Sequence, residues 1–445
     1  MKDMHRDKSK AGEIKNKSDL SIKLVAALQW LVFIMMNTIV PPVIVGNAYG
    51  LGAEQIVGLV QRTIFLVGFA SLLQILWGHK LPLMEGAAGL WWSIFVIMAQ
   101  NAVALGQNPQ LLLPKLEGGL IIAGILLILL GITPVFHFFE KLFTPLVTGV
   151  YLILFSIQMS IILFSGMLGL TDKGTVDWKF MVVSIITVTI TFYLSFKGKG
   201  LVKSFSPLAG IICGWVLYTL LGTSGGQIAL PTASDVFSLP RPFSWGMPEF
   251  DSGIILMSVM VSFILLSNLF ASVQLLKPAE PGNGSDMASK RGSIVNGIAV
   301  ALSGIFSGIG TIPFSISVSF IHITGNASRH PFLLASIMMI IAGLISPVGY
   351  FFAAIPIVVG YAISFVVFSQ MITFGMQNIF KAGIKEKNLF TFSISACIGI
   401  SIIFLPAQTF EKVPALISGI LSNGMLVGTA IAMIFEHLVF RKSEL

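Results

Sequence analysis

The sequence predicts an all-α integral membrane protein of fourteen transmembrane segments in a 7+7 inverted repeat, with short strands leading into half-helices at segments 3 and 10. Three observations predict it. Of 445 residues, 55% are hydrophobic and only 10% charged, with a mean hydropathy of +0.91, whereas an ordinary soluble domain carries about 25% charged residues. Apolar runs recur from Leu24 almost to the C-terminus, many near the roughly 20 residues that cross a ~30 Å hydrocarbon core. Two short motifs return seven segments later, and an odd offset sets the copies in opposite orientations. The runs read as helices, because a helix satisfies every backbone group within one crossing.

Residues 1–23 form a polar tail with Lys2, Arg6, Lys8, Lys10, Lys15 and Lys17, and no cleavable signal pattern. The first repeat, 24–222, holds apolar runs near 24–46, 56–76, 86–104, 118–136, 144–164, 179–196 and 205–222. A loop at 223–251 reads as extracellular. The second repeat, 252–439, holds runs near 252–276, 293–309, 315–325, 333–353, 357–377, 389–405 and 415–439, and 440–445 is a C-terminal tail. With both tails cytoplasmic, the outer loops keep only Lys115, Lys173, Lys179, Arg241 and Lys412. The remaining Lys and Arg fall inside, apart from Arg62 in segment 2, which is expected to snorkel outward. This bias supports a multi-pass protein of the plasma membrane. It also accounts for the net charge of +8 without a nucleic-acid partner. Cys213 and Cys397 lie in apolar runs with no metal or redox spacing, so both are expected to be buried.

The repeat rests on two echoes. Pro145-Leu-Val-Thr-Gly149 opens segment 5 and Pro356-Ile-Val-Val-Gly360 opens segment 12. Leu81-Pro-Leu-Met-Glu-Gly86 precedes segment 3 and Ile312-Pro-Phe-Ser-Ile-Ser317 precedes segment 10. Segments 3 and 10 look too short to cross alone. Half-helices starting near the midplane would aim backbone N–H groups and the positive dipole end at a cavity. The expected donors are the N–H groups of Gly86, Ala87 and Ala88 and of Ser315 to Ser319, with small side chains at Gly86 to Gly89 admitting a ligand.

Ionisable groups inside a span cost roughly 2.5 kcal/mol or more and mark functional candidates. Glu85 is the clearest, as acceptor of a substrate N–H and as the proton-coupling group; the alternative is a carboxylate capping its own helix near Lys80. Segment 8 offers Ser262, Ser267, Asn268 and Gln274 for ligand contact or interhelical hydrogen bonds. Segment 10 offers Ser315, Ser317 and Ser319 at period two, as in an extended entry, with His322 as a proton relay or a packing residue. In segment 1, Gln29 is expected to reach the site and Asn37 to pack. No catalytic, nucleotide-binding or metal motif is present, so the chain reads as a transporter and not an enzyme. No cofactor is expected beyond H⁺ or Na⁺ as coupling ion.

Gln29-Trp-Leu through Pro41-Pro42, Gly78 to Gly86, Thr144 to Gly149, Arg291-Gly-Ser-Ile-Val-Asn-Gly297 and Ile355 to Gly360 together resemble the nucleobase–ascorbate transporters, the uracil/xanthine permease family. The resemblance covers nearly the whole chain. It implies a core domain (segments 1–4 and 8–11) and a gate domain (5–7 and 12–14), with substrate bound between them. It further implies proton-coupled symport by an elevator-like motion, often in dimers, so a homodimer is one expected assembly. The departures fall at the site. The segment 10 signature maps to Ile316, Ser317, Ser319 and Thr324, of which only the threonine matches; the segment 8 glutamate maps to Ser267, next to Asn268; the segment 3 aromatic maps to about Gly89. Phe314 supplies a ring where relatives often have one, and Glu85 is the candidate to take over the acid's role. The resulting reading is a permease for a purine, pyrimidine or related small heterocycle. The alternatives are an anion carrier of the same fold and a non-transporting membrane sensor.

Overall fold

The computed structural model describes residues 23–133, 142, 144–170, 175–222, 236–276, 284–324, 327–410, 413, 421 and 423–440. The N-terminal tail and the last residues of the C-terminal tail therefore lie outside the described residues. Every apolar run of the sequence carries a helix. In chain order these are α1 (Lys23–Ala48), α2 (Ala53–Leu76), α3 (Gly89–Ala104), α4 (Leu113–Ile132), α5 (Pro145–Met167), α6 (Trp178–Lys197) and α7 (Ser206–Leu220). They continue with α8 (Ser252–Leu276), α9 (Gly284–Ile305), α10 (Ile316–Thr324), α11 (Arg329–Leu344), α12 (Ile357–Ala382), α13 (Glu386–Ile403) and α14 (Gly424–Ile434). Among the described residues, eight helices are long and apolar enough to cross a membrane unaided: α1, α2, α4, α5, α6, α8, α12 and α13.

Proline explains the main irregularities. Pro41 and Pro42 cannot donate to the preceding turn, and α1 breaks at Asn37–Ile39, where Asn37 Nδ2 and Thr38 Oγ1 donate to Phe33 O and Ile34 O instead. Pro347 likewise splits the run after α11 at Ile345, and Ser346–Ala353 continues as two further turns. Pro145 and Pro356 both start helices, as the first echo requires, the former with Thr144 Oγ1 accepting from Val147 N at 3.2 Å.

The helices pack in two groups. In one, α4 lies along α9, α11 along α2, and α8 against both α4 and α9. In the other, α5 lies along α12, α6 along α7, α13 along α14, and α12 also meets α6. The pattern maps onto itself when each helix is exchanged with the one seven later: α2 with α11 answers α9 with α4, and α6 with α7 answers α13 with α14. Glycine sets the closest approaches. A Cβ on Gly124 would lie 2.5 Å from Ala301 N and Gly297 O, and one on Gly297 would lie 2.6 Å from Gly124 O. In hydrocarbon, where lipid is as apolar as leucine, such backbone contact is what holds helices together. Gly124→Val is expected to lower the thermal unfolding temperature of purified protein by about 1–3 °C, for an overpacking cost of about 1–3 kcal/mol in a chain of this size. Gly360→Ala, whose methyl meets Val40 at an ordinary 3.4 Å, should leave it near the parent value.

Two expectations are corrected. Cys213 and Cys397 are exposed on α7 and α13, not buried; on lipid-facing helix surfaces an apolar run places small hydrophobes outward as readily as inward. Arg62 does not snorkel. Its Nε donates to Ser307 O at 3.1 Å, at the end of α9.

Candidate functional site

Two three-residue strands, β1 (Glu85–Ala87) and β2 (Thr311–Pro313), pair antiparallel, with Glu85 opposite Pro313, Gly86 opposite Ile312 and Ala87 opposite Thr311. They precede α3 and α10. Phe314 N donates to Met84 O at 2.9 Å and Ala88 N to Gly310 O at 2.8 Å, extending the pairing beyond both ends. Side chains alternate across a strand and opposed residues share a face. Glu85 and Thr311 therefore occupy one face, Gly86 and Phe314 the other. A Cβ on Gly86 would lie 2.6 Å from the Phe314 ring, so the glycine is what admits the ring.

On the rear face Glu85 is 0% exposed. Its N–H donates to Ser71 Oγ at 3.0 Å; Asn296 Nδ2 donates to Glu85 Oε2 at 3.3 Å and to Thr311 O at 2.9 Å. Gln74 also borders the carboxylate. Glu85 Oε1, Asn296 Oδ1 and Thr311 Oγ1 are buried without a hydrogen-bond partner. The chemistry of these three atoms is informative. The Thr311 hydroxyl can both donate and accept, whereas an ionised carboxylate and the Asn296 amide oxygen only accept, so a proton on Glu85 would add a second donor among the three.

The front face meets the second helix group. The first N–H groups of α3, Gly89 to Trp91, have no place in the helix's own ladder. A Cβ on Gly89 would sit 3.8 Å from the rings of Phe155 on α5 and Phe368 on α12. Phe368 stands edge-on to Trp92 at 5.3 Å and to Phe155 at 5.1 Å. These rings cover the start of α3, and the preceding Gly86, Ala87 and Ala88 are all buried. Beside β2, Ser272 Oγ lies 2.7 Å from Ser315 Oγ and 3.3 Å from both Pro313 O and Asn268 Oδ1, and the Asn268 side chain is exposed. Two surface cavities lie away from the strands, one of about 380 Å³ lined by Lys385, Lys387 and Glu436, one of about 500 Å³ along Phe69, Trp77 and Arg291.

The structure thus gathers Glu85, Gly86, Ala87, Ala88, Phe314, Ser315 and Ser317 at the strand pair. It also redirects several expectations. Glu85 lies on a strand and is fully buried, so it does not cap a helix from the interface. The Ala88 N–H is spent on Gly310, and those of Ser317 and Val318 on Phe314 O and Ser315 O; the free donors move to the start of α3. Ser315 to Ser319 are not an extended entry, since α10 begins at Ile316; the extended residues are three to five positions earlier. Ser317 Oγ, 0% exposed, accepts Met84 N at 3.0 Å and staples β1 to α10. Ile316 is exposed, and Thr324 Oγ1 bonds Phe320 O in its own helix at 2.9 Å. The Pro82 and Pro313 echo is out of register with the strands, because Pro82 precedes β1 whereas Pro313 ends β2. Gln29 is half-buried on α1, beside Trp30, whose ring lies 4.6 Å from Phe320 of α10. The side chains of Ser267, Ser319, His322 and Gln274 lie outside the described residues. Asn296, Thr311, Phe155 and Phe368 were missed. Asn296 had a signal, a buried-type amide inside an apolar helix; the two phenylalanines had none among the chain's 35.

A family model described as "Permease family" (Xan_ur_permease) matches residues 21–408. The chain is 32% identical over 434 residues to "Putative purine permease YwdJ" of Bacillus subtilis (strain 168), covering 95% of this chain and 98% of that one. It is 26% identical over 442 residues to "Xanthine permease" of the same organism, covering 95% of each, and 25% identical over 425 residues to "Uric acid transporter UacT" of Escherichia coli (strain K12), covering 93% and 85%. Among solved structures, the transmembrane domain of the cyanobacterial bicarbonate transporter BicA superposes with a TM-score of 0.61 at 17% identity, covering 92% of this chain and 97% of that one. Murine Slc26a9 superposes at 0.64 with 11% identity, covering 95% and 68%. Those two likenesses concern the fold alone.

Proposed function

Because the chain belongs to the permease family whose model spans residues 21–408, and is therefore a multi-pass membrane transporter and not an enzyme, we propose that it takes up a purine or related nucleobase together with a proton. The observation that carries this reading is the strand pair with its two faces. The front face offers a heterocycle what it needs: the N–H groups of Gly89 to Trp91 for ring acceptors, the Phe314 ring beneath it, and the Asn268–Ser272–Ser315 chain at its edge. Gln29, Ser267, Ile316 and Ser319 complete the proposed lining. The rear face holds Glu85, which among the described residues has no ion-pair partner. A buried carboxylate without a countercharge is far costlier than a protonated one, and a proton on Glu85 gives the buried Asn296 amide oxygen, which can only accept, a donor beside it.

The closed front face supports alternating access. Phe155 and Phe368 belong to the helix group of α5–α7 and α12–α14, and the strands to the other, so movement of one group past the other would open the site. The packing exchange between helices seven apart supports fourteen crossings in a 7+7 repeat, with repeats at 24–222 and 252–439; the placement of Lys and Arg supports cytoplasmic tails in the plasma membrane. Assembly as a homodimer belongs to the same reading and is checked by the mass of the solubilised protein.

The test is uptake of labelled xanthine, uric acid, guanine, hypoxanthine and uracil by cells lacking their own carriers. Accumulation of at least one, collapsed by a protonophore, is the expected result. Background uptake of all five, with the protein shown in the membrane, refutes it.

A further inference from the structure

A second buried acid lies outside the strand pair, on the helix after α3. Glu117, on α4, is 0% exposed. Its Oε1 accepts the Ser307 hydroxyl and, at 3.3 Å, the backbone N–H of Trp245, which also lies 3.3 Å from Ser307 Oγ. Ser307 takes φ 51°, a region few non-glycine residues enter, and its carbonyl receives Arg62 Nε from α2. Buried Glu117 and half-buried Arg62 are thus bridged by one serine, joining α2, α4 and the end of α9 to the segment before α8.

That segment is fastened at four further points. Phe243 N donates to Ile305 O at 2.7 Å and Glu249 N to Pro114 O at 3.1 Å; Ser238 N donates to Leu344 O at 3.0 Å, and Ser346 N to Val236 O at 2.9 Å. All four partners belong to helices of the strand-bearing group or the turns that continue them. The Trp245 indole then stands edge-on to Phe95 at 6.3 Å. Phe95 lies on α3, the helix whose first turn supplies the proposed substrate donors, and its carbonyl accepts the Tyr49 hydroxyl at 2.9 Å.

We infer that Glu117 is a positioning residue: it pins residues 236–251 to the strand-bearing helix group and, through Trp245 on Phe95, holds α3 at the angle that aims its N-terminal amides. A one-ångström error in such aim costs up to about 100-fold in a well-oriented site. The inference rests on the proposed role of α3 in binding, but its first readout does not.

The experiment compares Glu117→Ala, Glu117→Gln and Trp245→Ala in purified full-length protein and in cells. Hydrogen exchange at residues 243–249 is expected to speed up in Glu117→Ala and much less in Glu117→Gln, which keeps an acceptor for the Trp245 N–H. For a nucleobase that the parent transports, KM is expected to rise about tenfold in Glu117→Ala and Trp245→Ala with Vmax changed less than about twofold, the signature of lost alignment before the transport step. Unchanged exchange in Glu117→Ala overturns the pin. Faster exchange with unchanged KM overturns the positioning role and leaves the transport reading intact. If Glu117→Ala does not fold, Trp245→Ala decides: an unaltered KM there overturns the inference. Failure of the parent to transport any nucleobase would count against the function, while the exchange result still judges the pin.

Discussion

Glu85→Gln abolishes accumulation of substrate against a gradient while leaving the protein as heat-stable as the parent, or more so. The amide has the shape of the acid and keeps Asn296 within reach at the 3.3 Å position, but it cannot take up and release a proton. Parent uptake should rise as the outside is acidified, since protonated Glu85 is the loaded form, and uptake by the variant should be flat with pH. Exchange of internal for external substrate needs no net proton movement and should survive. The stability arm separates coupling from structure: holding a charge at mid-membrane costs about 2.5–3.5 kcal/mol, so loss of accumulation with heat stability kept or raised assigns the acid to coupling, whereas loss of both assigns it to packing. Accumulation at the parent level in Glu85→Gln removes Glu85 from the mechanism. An anion carrier would show the opposite change, with anion binding spared or improved.

Gly86→Ala is the second large effect. The added methyl would sit 2.6 Å from the Phe314 ring, and neither strand can retreat, because the ladder and the Ser317 staple hold both. The ring must swing, at an overpacking cost of about 1–3 kcal/mol, into the space assigned to substrate. Uptake should fall by more than about tenfold, while membrane abundance stays within about twofold. Gly86→Ala combined with Phe314→Ala removes the clash and should recover part of the binding lost by Gly86→Ala alone. If the single variant transports normally, the ring does not border the substrate.

The fold was legible because hydrophobic length and charge placement act over whole segments. A run such as 144–164 announces its helix at Thr144-Pro145 whatever its neighbours do. The short strands were legible as breaks, from Gly86 to Gly89 and around Pro313, but their register was not. Proline marks where a ladder bond is missing, and that occurs before one strand and at the end of the other. Glu85 stood out as an acid at a break between apolar runs, before the short segment 3. Its direction did not, because a strand of three residues turns a side chain to the opposite face with a shift of one position. Its partner Asn296 lies 211 residues away, and such a contact leaves no local pattern. Arg62 shows the same limit: local sequence suggested a lysine-like escape to the headgroups, and the decisive partner, Ser307, is 245 residues on.

The strand pair has a consequence for how the chain is made. β1 and Glu85 are synthesised long before β2, Thr311 and Asn296. Until α9 and β2 arrive, the first half holds a strand edge with no ladder partner and a carboxylate that lacks the Asn296 amide. The two halves are therefore complementary fragments and not independent folding units. Expressed alone, residues up to the end of α7 should be degraded; expressed together with a fragment beginning before α8, they should reassemble into one transporting complex.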